Sequence, residues 1–135
     1  TIANEIYRFD YDAEDRMLGN RRTIVAGFER GLPDGSCLDA AGTLWNCRVV
    51  GGAAVANFDV EGNLRRLIDL PATWPTSCTF GGEDLTTLFV TSARFTMTPE
   101  HLAANPQEGG LFAVQTGERG RPEPKFGVKL EREHA

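Results

Sequence analysis

The sequence predicts an all-β fold, on two observations: short alternating strands spaced about ten residues apart, and a repeat of those strands at a longer interval. Glu5-Ile6-Tyr7-Arg8-Phe9-Asp10-Tyr11 alternates polar and apolar residues, then breaks at Asp12-Ala13-Glu14-Asp15. Further strands are expected at 22–26, 35–39 and 43–49, the last two separated by the turn Ala40-Ala41-Gly42. The apolar run Ala53–Phe58 turns at Asp59-Val60-Glu61-Gly62-Asn63 into Leu64–Leu70. Gly, Asn and Asp punctuate the runs because they tolerate the backbone conformations that tight turns demand.

The repeat selects among all-β architectures. Pro33-Asp34-Gly35-Ser36-Cys37-Leu38-Asp39 is echoed by Pro75-Thr76-Ser77-Cys78-Thr79-Phe80-Gly81, and Thr43-Leu44-Trp45-Asn46 by Thr87-Leu88-Phe89-Val90. Gly51-Gly52-Ala53-Ala54-Val55-Ala56-Asn57-Phe58 is echoed by Gly109-Gly110-Leu111-Phe112-Ala113-Val114, after an insertion at Arg94–Glu108. Four strands recurring about every forty residues make a β-propeller blade. Glu5–Asp10 matches the third strand of such a blade. The chain therefore reads as half a blade, a complete blade near 32–71 and another near 74–128, or about two and a half to three four-stranded blades. Within the insertion, Thr98 as N-cap and Pro99 at the first helical position predict one helical turn through Ala104. Lys129–Ala135 reads as a charged tail.

Composition narrows the partners. The 135 residues suffice for one core. A net charge of −5 and a pI of about 5.0 give no basic footprint, which argues against nucleic-acid and anionic-membrane partners. The apolar runs are too short to span a bilayer. The N-terminus has no Met, basic n-region or apolar h-region, so processing or a start inside a larger fold is expected. Cys37, Cys47 and Cys78 fit no zinc spacing and sit in apolar strands, which predicts buried thiols and a reducing, cytoplasmic compartment.

Five stretches carry a more specific likeness: Phe9-Asp10-Tyr11-Asp12, Arg30–Trp45, Pro75–Gly82, Leu88–Arg94 and Glu108–Phe112. Arg30–Trp45 contains PDG-x-C-x-D-x-x-G-x-L-W. Together and in this order they resemble the later half of a member of the SMP-30/gluconolactonase family of regucalcin-like, metal-dependent lactonases. The resemblance implies a six-bladed propeller with one divalent cation (Ca, Zn, Mn or Mg) at the top of its central channel. It implies Asp34 as a metal ligand and, secondarily, as a candidate general base. The family's Glu and Asn ligands would lie upstream of Thr1. A lactone substrate is implied too, with the remaining blades supplied by a longer chain or a second copy.

The chemistry agrees with that expectation. Lactone hydrolysis needs a polarised carbonyl and an activated water, and a bound cation supplies both. A hard cation wants several oxygen ligands, so Asp34 alone does not hold one, and these residues alone are expected to be inactive. Pro-Asp-Gly is otherwise a common turn, in which the Asp bonds its own backbone. Asn46 and Arg48, at a strand end, and Arg94, after Thr91-Ser92-Ala93, are the candidate substrate contacts. Each has a blander reading, with Asn46 and Arg48 paired locally or facing solvent. Asp39 reads as a structural corner, Trp45 as packing between blades, and His101 as a surface residue without a partner. A non-catalytic calcium-binding or interaction scaffold is the alternative from a different class, since propellers host many roles. An organophosphate ester in place of the lactone is a third.

Overall fold

A computed structural model describes residues 1–123. Nine strands and one short helix make three antiparallel sheets. Strands β1 (Glu5–Asp12) and β2 (Met17–Ala26) form a hairpin. Its turn is set by Asp12, whose carboxylate accepts the Glu14 and Asp15 amides. The second strand begins five residues before the expected Arg22, because the hairpin zips up to that turn.

The complete sheet runs in the order β3 (Leu32–Leu38), β4 (Leu44–Val49), β5 (Ala54–Phe58), β6 (Leu64–Asp69). This is the predicted four-stranded blade, each strand hydrogen-bonded to the next in sequence. The third sheet holds β7 (Pro75–Gly81), β8 (Thr87–Ser92) and β9 (Leu111–Gln115). Between β8 and β9 the insertion carries helix α1 (Pro99–Ala104), where the Thr98 hydroxyl accepts the His101 amide as predicted. Beyond β9, the described residues 116–123 add one isolated bridge, from Gly120 to Asp39, and the predicted end of that blade, 124–128, and the charged tail, 129–135, lie outside the described residues.

Burial explains the blade order. Strand β5 is buried along its whole length, and β4 at every residue but its first, because a central strand has neighbours on both faces. Strand β6 is largely exposed, as an outer edge should be. Trp45, Cys47, Val55, Leu70, Cys78, Phe80, Leu88 and Val90 form one core cluster, packed between the second and third sheets. Trp45 meets Phe80 edge-on, at 5.7 Å between ring centroids, which places it between blades as predicted. Val25, Ala56 and Phe58 form a second cluster between the first and second sheets. There Gly62, at φ +90°, lies against the Ile24 carbonyl, where a side-chain carbon would sit 1.6 Å from that oxygen. Only glycine fits this blade-to-blade contact.

The corner residue behaves as expected. The Asp39 carboxylate accepts the Thr43 amide at 2.9 Å, the Trp45 indole N–H at 3.0 Å and the Thr43 hydroxyl. It thereby fixes the β3–β4 turn. Among the described residues, no helix is long and apolar enough to cross a membrane.

Candidate functional site

The innermost strands of the second and third sheets are β3 and β7, and their starts lie side by side. A side-chain carbon at Gly35 would fall 2.5 Å from the Thr76 carbonyl oxygen, so the two backbones touch at this level. Both strands are irregular at this point, with register shifts between Pro33 and Ser36 and between Pro75 and Ser77. Bulges of this kind re-aim a side chain. Asp34 sits on the first, exposed, and its carboxylate has no hydrogen-bond or ion-pair partner among the described residues.

The backbone beneath that carboxylate is firmly held. Asn46 on β4 donates its amide to the Asp34 carbonyl at 2.9 Å and to the Ser36 hydroxyl at 2.8 Å. Arg48, two residues on and fully buried, donates to the Asn46 side-chain oxygen at 2.9 Å. Its other donors reach the carbonyls of Gly31, Arg30 and Phe28 and the side-chain oxygen of Asn4. Arg48 also lies 5.0 Å from the Phe28 ring centroid, within cation–π range. Burial pushes its pKa down to about 10, still well above neutrality, so the guanidinium is a charged hub with carbonyls for counter-ions.

This geometry corrects one expectation. Asn46 and Arg48 present no open donor to a substrate, since both are buried with their polar atoms committed to the chain. They position the Asp34 bulge instead. Arg94 differs: it is exposed, and its Nε donates to the Glu108 carbonyl at 2.9 Å. It lies at the same end of the sheet as Asp34, because Ser92 pairs with Pro75 at the start of β7 and the Ala93 amide bonds the Trp74 carbonyl.

A second correction concerns His101. It has a partner: its Nε2 lies 3.2 Å from the Glu108 carboxylate. Glu108 is only 2% exposed and also accepts the amide and hydroxyl of Thr73. Burial alone would raise its pKa, but the Thr73 amide and His101 hold it below the usual carboxylate value. The insertion is thus pinned to the linker that enters β7, beside a cleft of about 410 Å³ lined by Trp74, Phe95, Thr98 and His101 among others. Sequence reasoning overlooked Glu108 because its partners stand 7 and 35 residues away, inside an insertion with no repeat to compare.

The described residues bring one exposed, unpartnered carboxylate, that of Asp34, to this end of the sheets. Among the described residues, no group of three or more His, Cys, Asp or Glu side chains is placed to hold an ion. An unpartnered carboxylate on a fixed bulge suits a ligand, but a hard cation needs several oxygens.

The successive antiparallel sheets of two, four and three strands, with β3 and β7 abutting and Asp34 where they meet, define part of a β-propeller. The family model for the SMP-30/Gluconolactonase/LRE-like region matches residues 1–94, and the chain belongs to that family. Human regucalcin is 36% identical over 115 residues, covering 84% of this chain and 38% of its own length. The 6-deoxy-6-sulfogluconolactonase of Pseudomonas putida is 40% identical over 124 residues, covering 90% of this chain and 42% of its own. Among solved structures, a calcium-binding protein, regucalcin, from Agrobacterium tumefaciens superposes with a TM-score of 0.86 at 34% identity, over 95% of this chain and 44% of that one. A luciferin-regenerating enzyme superposes with a TM-score of 0.81 at 26% identity, over 93% and 43%. The chain spans about two-fifths of the length of the curated relatives it matches.

Proposed function

We propose that this chain is the part of a sugar-lactone hydrolase that carries one carboxylate ligand, Asp34, of a divalent-cation site at the channel mouth. The observation that carries this reading is the contrast at Asp34. Its backbone is tied down by Asn46 and, behind that, by Arg48, while its carboxylate is exposed and unpartnered. A carboxylate left free on a backbone that is held from behind suits a ligand, which has to be in place before its cation arrives. Kinship with a sulfogluconolactonase supports a lactone as the substrate class.

A cation bound there would polarise a lactone carbonyl and acidify a water. The chain's own contributions are narrower. Asp34 offers its oxygens at the end of the innermost strand, and as a secondary role accepts a proton from a water within hydrogen-bond reach. Arg94, whose terminal guanidinium nitrogens have no partner among the described residues, extends donors from the same end of the sheet toward a substrate oxygen. The other ligands come from blades outside these residues, in the same polypeptide or in a second copy. A non-catalytic calcium-binding scaffold is the second reading, favoured by the likeness to a calcium-binding regucalcin.

The test is hydrolysis of D-glucono-1,5-lactone with Ca²⁺, Mn²⁺ or Zn²⁺, and with EDTA as control. Residues 1–135 alone should be inactive. A chain that also carries the remaining blades should hydrolyse the lactone, and should lose that activity both in EDTA and in Asp34→Ala. Cation binding without hydrolysis by that longer chain would select the scaffold.

A further inference from the structure

The Cys37 and Cys78 thiols lie at equivalent places on the abutting strands β3 and β7, with their sulfurs 3.7 Å apart. They stand 41 residues apart in sequence, so the contact exists only because two blades meet. Closing it to a disulfide asks the sulfurs to approach by about 1.7 Å, since a bonded pair is ~2.05 Å apart. The two sulfurs are not equivalent. Cys37 is half-buried, whereas Cys78 is buried and directs its S–H at the Trp45 carbonyl at 3.5 Å. Cys47, fully buried, shares the same core cluster.

We propose that Cys37 and Cys78 form a redox-closable pair that staples the two innermost strands together, with Cys37 as the attacking thiol and Cys78 as the resolving one. The oxidant is a low-molecular-weight disulfide. The Cys37 thiolate attacks one of its sulfurs, forms a mixed disulfide and releases one small thiol. The Cys78 thiolate then attacks the Cys37 sulfur and releases the second. Two protein thiols lose two electrons and two protons, and one small disulfide becomes two small thiols. The staple closes three residues beyond Asp34, on the strands whose starts touch at Gly35 and Thr76. It therefore fixes the spacing of two blades at the channel mouth, independently of what the mouth binds.

Both thiols are held protonated at rest. Contact with Cys78 and burial push Cys37 up. For Cys78, contact with Cys37 pulls down, but contact with Cys47 and burial outweigh it. Exchange is therefore slow at neutral pH and faster in alkali.

The experiment is incubation of the folded chain with oxidised glutathione, followed by intact mass and peptide mapping without reductant. The wild type should lose two hydrogens and yield one cross-linked peptide pair joining Cys37 to Cys78, with a drop in tryptophan emission from the neighbouring Trp45. Cys78→Ser should stop at a glutathione adduct on Cys37. Cys37→Ser should give neither product, and Cys47→Ser should behave as wild type. A wild-type chain that keeps the adduct, joins Cys47 instead, or cross-links only between chains overturns the proposal. Should the Cys78 variant not fold, the wild-type peptide map decides alone.

Discussion

The Asn46 amide donates to the Asp34 backbone carbonyl across 2.9 Å, tying the bulge that carries the candidate ligand to the buried strand behind it. The same amide donates to the Ser36 hydroxyl, and its oxygen accepts from Arg48. Removing it leaves a buried guanidinium donor and two strand acceptors without their partner. Asn46→Ala should therefore lower the unfolding free energy by about 1–3 kcal/mol, the usual cost of buried polar groups left unpaired. Denaturant titration measures it. A loss under about 0.5 kcal/mol would show that water replaces the amide freely.

Arg48 has more to lose. Its donors satisfy three backbone carbonyls and two side-chain oxygens, in a region where no buried side-chain nitrogen or oxygen among the described residues lacks a partner. Arg48→Met keeps most of the volume and removes every donor, so a loss of at least about 3 kcal/mol is expected. Arg48→Lys keeps the charge without the planar fork and should fall between Met and wild type. Their order in urea midpoints checks the assignment. Equal losses for Lys and Met would mean that the fork geometry carries the effect and the charge none of it.

The difference between Asp39 and this pair shows what a sequence makes legible. Asp39 stands in a repeated strand-to-turn block, its partners Thr43 and Trp45 lie within six residues, and its structural role was readable. The blades were readable for the same reason, since each is a local chain of hairpins. Asn46 and Arg48 sit on a central strand with both faces covered, where alternation no longer separates core from solvent. Their partners, from Asn4 to Ser36, come from the residue ahead of β1, the linker between β2 and β3, and the neighbouring strand β3. Asp34 could be picked out by its motif. That its carboxylate is unpartnered, and its backbone held from behind, needed the fold.

Asp39 predicts an acid sensitivity. Burial on its own would raise its pKa, but the hydroxyl and amide of Thr43 and the indole of Trp45 hold it below the ordinary value. A carboxyl whose folded pKa is depressed contributes stability that is fully present above its unfolded value, about 3.9. That contribution is lost as pH falls through the lower folded value. Wild-type stability should thus fall from about pH 4 downward, and Asp39→Asn should flatten that part of the profile while being less stable at neutrality. Guanidinium midpoints across that range test it. An unchanged slope in the variant would place the acid sensitivity elsewhere.

Glu108 pins the insertion to the linker ahead of β7 through Thr73 and His101. Glu108→Ala leaves the Thr73 amide and hydroxyl unpaired, at a cost of about 1–3 kcal/mol. It should also free the segment around α1, so proteolytic nicking between Phe95 and Gln107 should speed up while the sheets stay intact. His101→Ala removes only the half-exposed partner, and should cost less than about 1 kcal/mol. Cleavage sites mapped by mass spectrometry distinguish the two variants.

Asp34 should behave in the opposite way to Asn46, although the two are bonded neighbours. Its carboxylate is exposed and touches no donor among the described residues, so Asp34→Asn removes no interaction that the fold uses. Its stability should stay within about 0.5 kcal/mol of wild type, as for other surface changes. The bland reading of Pro-Asp-Gly makes a different forecast. An Asp that bonds its own turn contributes to the fold, and its loss should appear in the unfolding midpoint. A neutral effect on stability, joined to loss of EDTA-sensitive lactone hydrolysis in a chain carrying the remaining blades, would assign the carboxylate to a cation. A clear destabilisation with hydrolysis retained would return Asp34 to the turn.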